Sequence, residues 1–167
     1  MFCASCLASA KNKIKIIIAF LSAILLGTFQ VSKISSHLCY FVGCKKVGTI
    51  GFCMGGALAL ASAAQIPEEI SAAAPFYGIP KPDLCDLGKI KIPVQAHFGS
   101  KDTIEGFSSP KDAKAMAEKF DAGGVTYELF MYDAGHSFAN PTSANYTKEI
   151  CDLAIERVID FMKKHLR

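Results

Sequence analysis

A six-residue segment, Gly51–Gly56 (Gly-Phe-Cys-Met-Gly-Gly), constrains the fold of this chain more than any other feature. It follows the β-prone run 47–50 and precedes the alanine-rich run 57–65, which puts Cys53 on a sharp turn between a strand and a helix. The first amides of a helix have no intrahelical partner, and their partial positive charge stabilises a thiolate or an oxyanion. The segment predicts a nucleophile elbow, with Cys53 as nucleophile and the Met54 N–H as oxyanion-hole donor. A buried cysteine at a close strand–helix contact would give the same pattern.

Strands and helices alternate along the rest of the chain. The hydrophobic pattern and the helix-capping residues predict strands at 47–52, 71–77, 93–99 and 125–132, and helices at 54–65, 109–122 and 146–165. Strands that alternate with helices pair in parallel, and the crossover helices cover both faces of the sheet. The expected fold class is α/β, with a parallel sheet flanked by helices.

A cysteine nucleophile needs a base, and the base needs an orienting group. Asp102 comes just after the strand at 93–99, and His136 comes just after the strand at 125–132. The carboxyl ends of parallel strands meet at one edge of a sheet, so both residues are expected beside Cys53. The order nucleophile, acid, histidine is that of α/β-hydrolases.

Each of these residues also has a simpler interpretation. Asp102 could be an ordinary turn aspartate, and His136 a surface histidine. Asp133 competes for the orienting role, although we expect it to lie too near its strand to reach the imidazole. His97 falls within a strand and is expected to be a hydrogen-bonded core histidine.

Three segments together resemble the dienelactone hydrolase (carboxymethylenebutenolidase) family of the α/β-hydrolase superfamily: Gly51–Gly56, Gly99–Asp102 and Ala134–Ala139. The resemblance runs from about Lys45 to the C-terminus, with the three motifs in the family's order. It implies a hydrolase with a catalytic triad in which Cys53 is the nucleophile, His136 the base and Asp102 its orienting partner.

The resemblance also implies the chemistry. The thiolate attacks the carbonyl of a small-molecule ester or enol-lactone, the alcohol or enol leaves, and water hydrolyses the thioester. It implies no metal and no organic cofactor. The order of steps is the usual one for covalent acyl transfer.

The sequence departs from the family upstream of the elbow. Family members have a glutamate that activates the cysteine and an arginine that binds the substrate carboxylate, but residues 1–44 contain no Glu and no Arg. A second carboxylate-binding arginine of the family corresponds here to Asn140. Family members also begin with several strands, so 46–167 is expected to be a partial domain that lacks the N-terminal strands. The alternative function is a catalytically impaired partial domain that acts as an interaction or membrane-associated protein.

Residues 1–45 form an atypical basic and apolar segment. Residues 1–46 hold six lysines and no acidic residue, whereas 47–167 hold 12 basic and 15 acidic residues. Because the lysines flank an apolar run, they do not indicate a nucleic-acid partner. Four of the seven cysteines also lie in this segment. The odd number and the spacing of the cysteines favour a reducing compartment, and we expect a cytoplasmic location.

The apolar run at 14–29 leaves three interpretations open. The first is a signal peptide or membrane anchor, which would make the protein membrane-associated or secretory. The second is a buried element of the fold. The third is that residues 1–45 come from an alternative or wrongly assigned exon. The sequence does not indicate an oligomeric state. Unless 14–20 or 38–42 supplies a strand beside the elbow strand, an apolar edge stays unpaired and we expect poor solubility.

Overall fold

The structure, a computed structural model, describes residues 15–19, of which only the backbone is considered, and residues 46–167. The described part contains five strands: β1 (Lys15–Ala19), β2 (Val47–Phe52), β3 (Ala72–Phe76), β4 (Val94–Gly99) and β5 (Tyr127–Tyr132). It also contains three α-helices: α1 (Met54–Gln65), α2 (Pro110–Gly123) and α3 (Lys148–His165). All neighbouring strands pair in parallel, in the order β1-β2-β3-β4-β5. The predicted parallel sheet flanked by helices is confirmed.

The strand that carries the elbow, β2, lies between β1 and β3. β1 runs parallel to it, from Lys15 opposite Val47 to Ala19 opposite Gly51. A stretch of the apolar run at 14–29 therefore supplies the neighbouring strand whose absence would have left an apolar edge. The other candidate, 38–42, lies outside the described residues, as does the rest of the apolar run. The domain boundary at 45/46 stays a prediction.

The two faces of the sheet carry separate apolar clusters because side chains alternate along a strand. On β4, Val94, Ala96 and Phe98 face one cluster together with Leu60 of α1 and Met116 of α2. The opposite face packs against α3, whose buried residues recur at helical spacing: Ala154, Val158, Phe161 and Met162. The apolar spacing in the sequence predicts a stripe of Ile150, Leu153, Ala154, Val158, Phe161 and Met162 on this helix, of which Leu153 is instead 43% exposed. Within 46–167, none of the helices is long and apolar enough to cross a bilayer.

Helix α2 begins where the sequence predicted, and its start shapes the loop that follows β4. The Ser109 side chain accepts a hydrogen bond from the Asp112 N–H, and the Asp112 carboxylate accepts one from the Ser109 N–H, which makes a capping box. Pro110 occupies the first turn, and Gly124 ends the helix in a left-handed conformation with φ 65°. Asp112 of the capping box also accepts from the Phe107 N–H at 3.2 Å, which ties the loop before α2 to the start of the helix.

Candidate active site

The turn between β2 and α1 has a strained backbone at Cys53. Cys53 adopts φ 55° and ψ −121°, which a non-glycine residue rarely does, and such strain costs on the order of 1–3 kcal/mol. The surrounding backbone holds the conformation: the Cys53 N–H donates to the Phe76 carbonyl at 3.0 Å, and the Cys53 carbonyl accepts from the Gly56 N–H at 2.8 Å and the Ala57 N–H at 3.2 Å. The predicted strand–turn–helix geometry is present.

Two glycines are required by close backbone contacts at this turn. A Cβ at Gly51 would lie 1.9 Å from the Gly55 carbonyl oxygen, and one at Gly78 would lie 1.9 Å from the Cys53 carbonyl oxygen. Real Cβ atoms do not approach oxygen so closely, so neither position accepts a side chain without moving the elbow. The role of Gly51 follows from the elbow motif. The role of Gly78 depends on a contact across the sheet.

Cys53, His136 and Asp102 form one hydrogen-bonded row. The Cys53 Sγ lies 3.3 Å from His136 Nε2, and His136 Nδ1 lies 2.8 Å from Asp102 Oδ2. The Asp102 side chain is fully buried, whereas 16% of the His136 side chain is exposed. The second carboxylate oxygen of Asp102 accepts from the Ile104 N–H at 3.0 Å, which fixes the carboxylate. The three residues singled out from the sequence therefore lie in contact.

This arrangement defines the protonation pattern of the imidazole. A carboxylate only accepts hydrogen bonds, so Nδ1 carries the proton that is donated to Asp102. In neutral His136 the Nε2 lone pair then faces the Cys53 thiol and can take its proton. The row can generate a thiolate beside an imidazolium.

The competing carboxylate, Asp133, takes no part in this row. Its Oδ1 lies 2.8 Å from Lys101 Nζ, and both side chains are mostly exposed. The contact to His136 is made instead from the loop after β4, by Asp102. The prediction that Asp133 would not be the partner of the imidazole is confirmed.

Residues around the imidazole include two that the sequence did not indicate. Ser108 is fully buried, and its Oγ lies 3.1 Å from His136 Nδ1. The Tyr77 ring meets the imidazole edge-on, with 5.1 Å between ring centroids. Burial, followed by the neighbouring Cys53 and Cys151, raises the pKa of Tyr77, so its hydroxyl stays protonated at neutral pH. Neither residue carries a motif signal, because both reach His136 only through the fold.

The loop that carries His136 is held at its backbone. Ser137 has φ 63°, and the His136 carbonyl accepts a hydrogen bond from Asn145 Nδ2 at 2.9 Å. Further along the same loop, the Asn140 Oδ1 accepts from the backbone N–H of Thr142 at 3.1 Å and from its hydroxyl at 2.9 Å. Asn140 thus helps to form the loop at the position where the family resemblance implies an arginine.

His97 is a core histidine, as predicted. It is fully buried, with Nδ1 2.9 Å from the Tyr132 hydroxyl and Nε2 3.2 Å from Gln95 Oε1. Burial, followed by the charge of Arg157, lowers the pKa of His97 to about 3. The Gln95 amide nitrogen donates to Glu128, so Oε1 accepts from His97 Nε2–H and the Tyr132 hydroxyl donates to Nδ1. This histidine is neutral and structural.

No group of three or more His, Cys, Asp or Glu side chains in the described part of the chain is arranged to hold a metal ion. The sequence places Cys3 and Cys6 at a spacing seen in zinc sites, but without a second pair. Both lie outside the described residues.

The chain is similar to known proteins over most of its length. The model of the dienelactone hydrolase family matches residues 28–166. A carboxymethylenebutenolidase of Pseudomonas putida is 33% identical over 118 residues, which cover 70% of this chain and 48% of that relative. An Aquifex aeolicus protein assigned as a carboxymethylenebutenolidase is 31% identical over 142 residues, 83% of this chain and 60% of that relative. The chain thus spans about half to three fifths of the length of these relatives.

The fold is also shared with solved structures. A Klebsiella pneumoniae protein assigned as a dienelactone hydrolase superposes with a TM-score of 0.72 at 24% identity, covering 83% of this chain and 60% of that one. The Pyrococcus furiosus esterase Pf2001 superposes with a TM-score of 0.64 at 17% identity, covering 84% and 62%. These similarities support the α/β-hydrolase fold. With the match over 28–166, they lead to one conclusion: this chain belongs to the dienelactone hydrolase family.

Proposed function

We propose that this chain hydrolyses a small-molecule ester or enol-lactone through a thioester on Cys53. The single observation that supports this most is the row of contacts from Cys53 Sγ to His136 Nε2, 3.3 Å, and from His136 Nδ1 to Asp102 Oδ2, 2.8 Å. Nucleophile, base and orienting group each lie within reach of the next. Family membership supports the same class of reaction.

In the first half-reaction, His136 Nε2 takes the thiol proton and the Cys53 thiolate attacks the substrate carbonyl carbon. The resulting oxyanion accepts a hydrogen bond from the Met54 N–H, the first amide of α1. This amide lies before Gly56 and Ala57, whose N–H groups make the first hydrogen bonds of the helix. The C–O bond then breaks, and the His136 imidazolium gives its proton to the departing alkoxide or enolate. An acyl thioester remains on Cys53.

In the second half-reaction, His136 Nε2 takes a proton from water as the water oxygen attacks the thioester carbonyl. The C–S bond breaks, the acid leaves, and the thiolate–imidazolium pair returns to the thiol and neutral imidazole. Asp102 remains ionised in both halves and holds the Nδ1–H in place. Only substrate and water are consumed, and the three side chains return to their initial state.

We further propose that the acyl group is uncharged. Asn140 stands where the resemblance implies a carboxylate-binding arginine, and its carbonyl oxygen is engaged by Thr142 within the loop. An amide cannot neutralise a substrate carboxylate as a guanidinium does. Neutral short-chain esters should be better substrates than an anionic dienelactone.

The test is hydrolysis of p-nitrophenyl acetate by the full chain and by Cys53→Ala. We expect the variant to lose at least about 10³-fold in kcat/KM, because the covalent route is gone. Cys85→Ala, which removes another thiol of the described part, is the matched control and should keep wild-type turnover. Mass spectrometry of the wild type during turnover should detect an acetyl group on the Cys53 peptide. Undiminished hydrolysis by Cys53→Ala would end the proposal.

The second candidate function is that of a partial domain that catalyses no reaction and acts as an interaction or membrane-associated protein. It is favoured by one observation, that the chain spans 48–60% of the carboxymethylenebutenolidase relatives described above. It predicts a folded chain that forms no acetyl-enzyme and turns over no ester. The mass measurement therefore separates the two functions in one experiment.

A further inference from the structure

We propose that Ser108 is a positioning residue for His136: its hydroxyl oxygen is a second acceptor, beside Asp102, for the Nδ1–H of the imidazole. The assignment rests on the proposed function, in which His136 is the base. It adds a fourth side chain to the row. Ser108 carries no sequence motif, and the neighbouring Ser109 accounts for the helix cap.

The geometry gives one imidazole proton two acceptors on the same side of the ring. Nδ1 lies 2.8 Å from Asp102 Oδ2 and 3.1 Å from Ser108 Oγ, both within hydrogen-bond distance. Ser108 is 0% exposed, so its hydroxyl does not exchange this contact for bulk water. The proton on Nδ1 is therefore shared between a strong, charged acceptor and a weaker, neutral one.

The same short loop holds both acceptors. The Ile104 N–H donates to Asp102 Oδ1 at 3.0 Å, and the Ile104 carbonyl accepts from the Ser108 N–H at 3.0 Å. The two residues that flank Ser108 are held by the Asp112 carboxylate, which accepts from the backbone N–H of Phe107 at 3.2 Å and from that of Ser109 at 3.0 Å. Ser108 is thus fixed relative to Asp102 by backbone contacts and relative to α2 by the capping box.

The expected effect follows from the charge of the donor. A hydrogen bond donated by an imidazolium N–H is stronger than one donated by the N–H of a neutral imidazole. The Ser108 oxygen that accepts it therefore favours the protonated ring. It therefore favours the Cys53 thiolate beside that ring. Two acceptors on the Nδ1 side also restrict rotation of the ring, which keeps Nε2 directed at Cys53 Sγ. Tyr77 packs edge-on against the ring, and its protonated hydroxyl adds no charge to this balance.

Within 46–167, the titratable side chains in contact with the His136 ring are those of Asp102, Cys53 and Tyr77. Asp102 contacts Nδ1 and Cys53 contacts Nε2. Lys101, the sequence neighbour of Asp102, and Asp133, three residues before His136, pair with each other at the surface. The pH response of Cys53 is therefore expected to report mainly on the hydrogen bonds of His136.

The experiment compares Ser108→Ala with a matched buried control, Ser62→Ala. Ser62 is also 0% exposed and lies on α1, and its hydroxyl has no hydrogen-bond partner among the described residues. The folded protein is alkylated with iodoacetamide at a series of pH values. The rate at Cys53 is then measured by mass spectrometry of the proteolytic peptide that contains it. We expect Ser108→Ala to shift the midpoint of the alkylation rate against pH upward by about 0.5 to 1 pH unit. Ser62→Ala should have the wild-type midpoint.

Turnover supplies a second readout. Ser108→Ala should lower kcat/KM for p-nitrophenyl acetate about three- to tenfold, mostly through kcat, because the lost contact concerns the ring rather than substrate binding. Ser108→Thr keeps the hydroxyl and should hold the wild-type midpoint. A shift in Ser108→Thr equal to that in Ser108→Ala would assign the effect to packing and overturn the proposal.

A midpoint in Ser108→Ala that is unchanged or lower also overturns it. The two proposals fail differently. A wild type that alkylates normally but hydrolyses no ester defeats the proposed function, and the alkylation profile still tests Ser108. A wild type that hydrolyses esters, with an unchanged profile in Ser108→Ala, defeats only the role of Ser108.

Discussion

Gly78 lies against the carbonyl of Cys53, so closely that a Cβ on Gly78 would sit 1.9 Å from the carbonyl oxygen. That carbonyl also accepts the first hydrogen bonds of α1, from Gly56 and Ala57. The start of the helix, the strained elbow and the end of β3 are thus packed at one point. A side chain at Gly78 would displace all three.

The first prediction concerns this contact. Gly78→Ala should lower the free energy of unfolding by about 2 kcal/mol or more, because backbone rather than a flexible side chain must move. It should also reduce ester hydrolysis, since Cys53 moves with the elbow. Gly88→Ala is the control: the Cβ there would be 3.4 Å from its nearest neighbours, an ordinary contact. Urea unfolding of both variants is the measurement, and equal stabilities would contradict the prediction.

The second prediction separates two aspartates near His136. Asp102→Asn should lower kcat/KM about 10²- to 10⁴-fold, because the amide no longer fixes the protonated Nδ1 or stabilises the imidazolium. Asp133→Asn removes the same charge from a surface pair with Lys101 and should change kcat/KM less than about twofold. Steady-state kinetics on both variants is the measurement. A large loss in Asp133→Asn with little loss in Asp102→Asn would reverse the assignment.

The third prediction is a pH dependence of stability. The pKa of His97 is about 3 in the folded chain, and an unfolded histidine has a pKa of about 6.5. Between these values the unfolded chain binds a proton that the folded chain excludes, so stability falls as the pH is lowered. From about pH 7 to pH 5 this one group should remove about 2 kcal/mol of unfolding free energy.

The measurement for His97 is urea unfolding of the wild type and His97→Gln at both pH values. The glutamine has no titrating ring, so the stability advantage of the wild type should shrink by that amount at the lower pH. Other titrating groups cancel in the comparison because both proteins share them. A difference that is independent of pH would contradict the prediction.

The fourth prediction concerns the edge of the sheet. A chain that begins at residue 46 loses β1, which pairs with β2 from Lys15 opposite Val47 to Ala19 opposite Gly51. The freed edge belongs to a buried apolar strand and offers unpaired backbone groups to other chains. We expect this variant to sediment as aggregates under conditions in which the full chain does not. A truncated chain that stays monomeric would show that β1 does not protect the edge.

Local patterns were sufficient for much of this protein. The elbow at Cys53, the cap at Ser109 and the stripe on α3 each depend on residues close together in the sequence, so their spacing alone determines them. The meeting of Cys53 with Asp102 and His136 could also be predicted, because a parallel sheet brings the ends of its strands to one edge.

Only the tertiary structure decided the remaining contacts. The Ser108 hydroxyl beside His136, the close approach of Gly78 to Cys53 and the contact of buried His97 with Tyr132 join residues that are distant in sequence. Each depends on how packed elements are placed relative to one another, to within a few tenths of an ångström. Hydrophobic periodicity carries no information at that scale. The sequence by itself determined which residues form the row. The packing of β3 and of the loop after β4 determined what holds that row in place.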